Sequence, residues 1–262
     1  MKIILLANQD YVSHKALITL TSALRSHSCQ VLLSPRVGPA KEALDPALVA
    51  LSRFDSQQLE NDLKSHSKEP EGNMGSDLSA ALSHSYGVPV YPVESINRAK
   101  GLQLVQQFQP DLILSIRFGF ILNTAVIAIP RCGVINLHSG LLPEYKGIMA
   151  TFWAMLDGCS SYGSTLHYID DKRIDSGPII ERLEYKLDLN RSYFDNLLVL
   201  YTSGVTGMIQ AVRAIDEGGS PRTWQPIGVG NYFSVPKKSD VQQFLDLGLR
   251  LFDPDTQSPL AE

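Results

Sequence analysis

The sequence predicts an α/β protein with a Rossmann-like, doubly wound and mostly parallel sheet. Three observations predict it. Residues 2–7 are an unbroken apolar run, the pattern of a strand buried on both faces. Ala16, Leu17, Leu20 and Leu24 then recur at helical spacing, and a second apolar run follows at 29–33. A strand–helix–strand opening of this kind starts a parallel sheet. With 262 residues, 44% of them hydrophobic, the chain can bury one large core.

The elements follow in order. Asn8-Gln9-Asp10 is a turn, and no glycine lies between Met1 and Gly38. The Gly-x-Gly-x-x-Gly turn of dinucleotide sites and the Walker phosphate loop are therefore both missing. Residues 36–76 are an irregular insertion, helical in composition from Ala40 to Lys64 and then a polar loop from His66 to Ser76. A helix is expected at 77–85, a short strand at 88–93 interrupted by Pro89 and Pro92, and a helix at 99–108 that Pro110 ends. Residues 111–116 read as a central parallel strand, and 117–123 lead into a short apolar helix before Pro130. Val134, Ile135 and Leu137 form the next buried strand, with Asn136 and His138 in the alternating phase, and Ser139-Gly140, Pro143 and Gly147 turn the chain away.

A helix with an aromatic face is expected at 149–157, closed by Gly158. Strands at 163–169 and 178–187 flank a turn that carries Asp170, Asp171 and Asp175. Ser192 with Asp195 resembles a capping box and opens a long helix to about Glu217. We divide the chain into a catalytic domain, 1–217, and a short extension, 218–262, with aromatic islands, a helix near 240–247 and a proline-bearing end.

Composition narrows the function. A net charge of −4 and a pI near 5.9 give no general attraction to nucleic acid or to an anionic membrane. Cys29, Cys132 and Cys159 lack metal-ligand spacing, so no metal is expected and a reducing compartment is. The first residues do not read as a signal peptide, and no run approaches the roughly 20 apolar residues of a membrane span. The expected location is cytoplasmic.

Asn136, His138 and Asp175 are the residues that could carry chemistry. When an amine attacks a carbonyl, negative charge develops on oxygen, where an amide N–H and an imidazole N–H can stabilise it. A carboxylate can take the amine's proton directly or through the histidine. The residues alone leave other readings open: His138 a structural hydrogen-bonding group, Asn136 a turn-fixing one, Asp175 a turn former in Asp-Ser-Gly-Pro. Ser139 lacks the nucleophile elbow, so no covalent nucleophile is expected.

Asn136-Leu-His138-Ser-Gly-Leu-Leu-Pro143-Glu-Tyr-Lys-Gly147, then Gly163-x-Thr165-x-His167 and Asp175-Ser-Gly177, resemble the signature of the folate-dependent formyltransferases. The resemblance covers about residues 86–187 and, more loosely, the first strand–helix–strand unit. It implies that Asn136, His138 and Asp175 are catalytic and that 10-formyltetrahydrofolate is the formyl donor. Phe118, Gly119, Phe120, Ile121 and Leu122, with Tyr168, Ile169, Asp170 and Asp171, would line the pterin pocket. His167 is read as strand packing, outside the site.

The acceptor is expected to be a small amine, bound across Asn8, Gln9, Asp10 and Tyr11 and across Ser139, Gly140 and Lys146, with Arg117 and Lys146 as anion contacts. The tRNA-acting members carry a C-terminal barrel for which the segment after Glu217 is too short. The glycinamide ribonucleotide members carry a glycine-rich loop after the first strand. We favour a nucleotide-linked amino deoxysugar, since Gly230–Pro236 resembles an extension of sugar-modifying members. A hydroxylated ornithine or other amino acid is the alternative acceptor, and a non-catalytic binding protein the alternative class. The aromatic tail is expected to cover the pocket or to make a homodimer contact.

Overall fold

The computed structural model describes residues 1–35, 44–66, 78–226 and 228–254. The chain runs β1 (Lys2–Asn8), α1 (Tyr11–Ala23), β2 (Ser28–Ser34), α2 (Pro46–His66), α3 (Leu78–Tyr86), β3 (Val90–Pro92), α4 (Ala99–Phe108), β4 (Leu112–Ile116) and α5 (Thr124–Ile127). It continues β5 (Val134–His138), β6 (Tyr145–Gly147), α6 (Ala150–Leu156), β7 (Ser161–Tyr168), β8 (Ile179–Lys186), α7 (Tyr193–Asp216), β9 (Asn231–Phe233) and α8 (Lys238–Asp246).

The main sheet has the order β3-β2-β1-β4-β5-β7-β8. Its first five strands are parallel, while the β5–β7 and β7–β8 pairings are antiparallel. The order reverses between β1 and β4, and the crevice beyond the carboxyl ends of those strands is where such sheets bind ligands. Asn8, Arg117 and His138 stand at or just past the ends of β1, β4 and β5, so the topology brings three distant stretches to one edge. The α1, α2 and α7 side of the sheet buries one apolar cluster and the α4 and α5 side another.

Local chemistry sets several boundaries. α1 begins before the expected Ser13 because Asp10 caps it, its carboxylate accepting the Ser13 N–H at 2.7 Å. α2 begins at Pro46 rather than near Ala40: proline suits the first helical position, and Asp45 Oδ1 accepts the Ala47 N–H at 2.8 Å. The expected polar loop lies, from residue 67 on, outside the described residues, as does 36–43. At the start of α7 Ser192 Oγ accepts the Asp195 N–H at 3.2 Å and donates to Asp195 Oδ2 at 2.6 Å. The aspartate thus meets the cap hydroxyl, where the glutamate of a full box would reach the cap amide.

α7 is long and apolar enough to cross a membrane by composition, yet its apolar face packs on β5 and β7. Gly204 makes that approach possible, since a Cβ there would fall 2.7 Å from a Leu137 methyl carbon. Beyond α7 the chain returns to the domain. Trp224 bridges to Ile179, β9 pairs with β6, Phe244 of α8 stacks on Phe152 with centroids 4.4 Å apart, and the Tyr193 N–H donates to Arg250 O.

Candidate active site

On β5, Asn136 and His138 are two residues apart and share a face. β7 runs antiparallel beside it with Asn136 opposite His167 and His138 opposite Thr165. Residues directly opposite share a face, so the register adds His167 to the pair. Asp175 reaches them from the β7–β8 turn, held at φ +48°, in the left-handed region.

The contacts define tautomers. His138 Nε2 lies 2.6 Å from the Tyr145 carbonyl oxygen and must be the protonated donor to it, which turns Nδ1 toward Asp175 Oδ2 at 3.6 Å. His167 Nδ1 donates to the Tyr168 carbonyl at 2.9 Å, so its Nε2 accepts an amide hydrogen from Asn136 Nδ2 at 3.1 Å. That bond orients the Asn136 amide and uses one of its two Nδ2 hydrogens, and Asn136 lines the cleft. Asp175 Oδ1 lies 3.5 Å from His167 Nε2, and Oδ2 accepts the Gly147 N–H at 2.8 Å. Burial alone would raise the Asp175 carboxyl, but the positive charge that His138 and His167 carry when protonated, with the Gly147 N–H, holds it down at about 2. It is ionised at neutral pH.

These groups open on a cleft of about 530 Å³, within the range of small-molecule sites. One wall is the Phe118–Leu122 loop with Ile169 and Asp171. Across it stand Asn8, Gln9 and Asp10, one face of α2 (Leu48, Leu51, Ser52, Asp55, Ser56) and Tyr193, Phe194, Leu197 and Tyr201 of α7. Tyr232 and Val235 contribute from the tail. Asp10 accepts from Asn8 Nδ2 at 2.6 Å and from Arg117 Nε at 3.0 Å. Burial would raise Asp10, but Arg117, Asn8 and Ser13 keep it below the usual carboxylate range. Asp55 accepts the Tyr11 N–H at 2.9 Å, and burial followed by the neighbouring Asp10 charge pushes it up to about 7.

Residues 68–193 match the model of the formyl transferase family. Through that segment the chain is similar to the formyltransferases. A methionyl-tRNA formyltransferase of Kosmotoga olearia is 29% identical over 175 residues, 66% of this chain and 55% of its own. One of Macrococcus caseolyticus is 31% identical over 144 residues, 55% of this chain and 46% of its own. The chain spans about half the length of the curated relatives it matches. Among solved structures, a 4-N formyltransferase from Francisella tularensis superposes with a TM-score of 0.60 at 15% identity, covering 99% of this chain and 83% of that one. The phosphoribosylglycinamide formyltransferase of Anaplasma phagocytophilum gives 0.57 at 17% identity, covering 89% and 97%. WlaRD, a sugar 3N-formyl transferase solved with dTDP and 5-N-formyl-THF, gives 0.55 at 16%, covering 89% and 69%. At these identities the likeness is one of fold.

Within the matched segment, Asn136, His138 and Asp175 come together at the edge of the cleft. Of the expected pterin residues, Phe118, Gly119, Phe120, Ile121, Leu122, Ile169 and Asp171 line the cleft, and Tyr168 and Asp170 do not. Tyr168 ends β7 with its ring against Gly133, and Asp170 sits against Gly177. Of the expected acceptor residues, Asn8, Gln9, Asp10, Arg117 and Ser139 line the cleft. Tyr11 turns into the core and stacks on Phe194, Gly140 lies beneath His138, and Lys146 donates outward to the Val229 carbonyl at 2.7 Å. Lys146 does not line the cleft. Arg117, with φ +53°, is ion-paired to Asp10 and lies over the Tyr201 ring, so its charge is already matched.

His167 belongs to the cluster and is not merely packing. The period-two pattern of 163–169 puts it in phase with Thr165, but only the antiparallel register sets it opposite Asn136. The α2 face, including Asp55, carried no signal beyond helical composition.

Proposed function

We propose that this chain transfers a formyl group from 10-formyltetrahydrofolate to the amine of a small molecule. The observation that carries the reading is the convergence of Asn136, His138 and an ionised Asp175 at one end of a cleft able to hold a small molecule. The aromatic pair Phe118 and Phe120, with Ile121, Leu122 and Ile169, forms an apolar wall suited to a flat pterin. When bound, the folate supplies a formyl carbonyl open to attack.

Asn136 directs its free Nδ2 hydrogen to the formyl oxygen and stabilises the negative charge that develops there. His138, held by the Tyr145 carbonyl at Nε2, takes the proton of the attacking amine at Nδ1. It returns that proton to the donor nitrogen as the formyl C–N bond to the folate breaks and tetrahydrofolate leaves, while the Asp175 carboxylate beside it balances the positive charge. His167 keeps the Asn136 amide turned the right way. Removing the oxyanion donor or the proton acceptor costs roughly 10²–10⁴ in turnover for sites of this kind.

A nucleotide-linked amino sugar is the favoured acceptor, and it is supported by the sugar N-formyltransferases among the fold neighbours. A second reading, an amino acid, is favoured by the Asp10–Arg117–Asp55 group, which offers carboxylates and a matched guanidinium where a phosphate would want unpaired cations. Incubation with the formyl donor and a panel of nucleotide-linked amino sugars, free amino sugars and amino acids should release tetrahydrofolate with one class. No release with any amine would overturn the transferase reading.

A further inference from the structure

β6 carries both backbone groups that hold the proposed acid–base pair. The Tyr145 carbonyl takes the Nε2 hydrogen of His138 at 2.6 Å, and the Gly147 amide donates to Asp175 at 2.8 Å. Yet β6 is not part of the main sheet. Among the described residues its strand partner is β9, from the tail, with Tyr145 opposite Asn231, Lys146 opposite Tyr232 and Gly147 opposite Phe233. The Ile148 N–H donates to Phe233 O at 2.9 Å and the Asn231 N–H to Glu144 O at 3.2 Å. Gly147, at φ +97°, lets the two backbones meet: a Cβ there would fall 2.1 Å from the Phe233 carbonyl oxygen. The Phe233 ring stacks on Tyr145 (centroids 5.3 Å apart, planes at 16°) and on Trp153 (5.1 Å, 29°), and Trp153 Nε1 donates to Ser234 O.

Fixing the backbone of a loop residue costs conformational entropy, so a three-residue strand holds its shape only through what it pairs with and packs on. Here its strand partner is the tail, while the Tyr145 N–H donates to Leu141 O and the Tyr145 hydroxyl to Asp157 Oδ2. We propose that Phe233 is a positioning residue for formyl transfer: wedged between Tyr145 and Trp153, it fixes β6 so that the Tyr145 carbonyl and the Gly147 amide hold His138 and Asp175 in register. This rests on the catalytic roles proposed above. The extension after α7 then completes the active site from outside the sheet, and the folate wall of Phe118–Leu122 is independent of it.

The test compares Phe233→Ala with Phe233→Tyr, which keeps the stacked ring. Misplacement of reacting groups by about 1 Å costs on the order of 10²-fold, so Phe233→Ala should lower kcat by roughly 10- to 100-fold while KM for the formyl donor stays within about twofold. Phe233→Tyr should restore kcat to within about threefold of the parent. A readout apart from turnover is the His138 Nε2–H resonance in 15N-labelled protein, protected in the parent and in Phe233→Tyr, broadened by exchange in Phe233→Ala. Unchanged kcat and an unchanged resonance in folded Phe233→Ala would overturn the proposal, as would loss of donor binding together with kcat. If the parent released no tetrahydrofolate with any amine, the transferase reading would fail, and the resonance would still decide whether Phe233 holds His138.

Discussion

His138 and His167 are both buried imidazoles within reach of Asp175, but their hydrogen bonds give them different work. His138 keeps a nitrogen facing the carboxylate, whereas His167 uses one nitrogen on its own strand and the other on Asn136. His167→Ala should therefore free the Asn136 amide to rotate and lower kcat by roughly 10- to 100-fold, with donor binding retained. An effect below threefold in steady-state assays would show that Asn136 needs no such partner. Asp55 makes a prediction about pH. Its folded pKa, about 7, lies above the ordinary 3.8, so the folded state keeps a proton that the unfolded chain releases. Stability thus falls as pH rises from about 4 to 7, by on the order of a few kcal/mol, because Asp10 and burial oppose the anion more than Arg117 and the α1 amides favour it. Asp175 has the opposite sign: depressed to about 2, it contributes stability present above about pH 4 and lost as pH falls through 2. Asp55→Asn, which can still accept the Tyr11 N–H, should raise the thermal midpoint at pH 8 and leave it nearly unchanged at pH 4. Equal shifts at both would contradict this.

At the scale of elements, the parallel half of the sheet was legible because its strands are continuous apolar runs and its helices carry clear periods. α4 begins and ends where the sequence places it. The antiparallel half was legible as strands but not as register, and register is what brings His167 to Asn136. β9 was invisible as a strand, since Asn231–Phe233 is three residues whose partner lies 86 positions upstream. The same limit hid the α2 wall, because helical composition does not say which face meets a cleft. Packing between elements yields its own test at Gly204, where α7 meets Leu137, the residue between Asn136 and His138. A β-branched side chain there gains a few tenths of a kcal/mol in helix propensity but must displace a buried leucine. Gly204→Val should destabilise the fold by about 1–3 kcal/mol in chemical denaturation. A neutral or stabilising result would mean that β5 yields more readily than its burial implies.

At the scale of the whole molecule, the strand order sets the site at the switch point, where Asn8, Arg117 and His138 meet from three stretches of chain. The β5 end and the β7–β8 turn were readable because the signature of the resemblance runs through both, and the Phe118–Leu122 loop was reached only as what that resemblance implies. The rest of the cleft lining comes from α2, α7 and the tail, which share no motif, and so the acceptor was the part least readable. The central claim is that Asn136, His138 and Asp175 perform formyl transfer in this cleft. Its most direct test is the rate of tetrahydrofolate release from 10-formyltetrahydrofolate with the best amine of the panel, for the parent, Asn136→Ala and His138→Ala. The account predicts a drop of roughly two to four orders of magnitude in each variant with donor affinity kept. Rates within tenfold of the parent in both variants would contradict it.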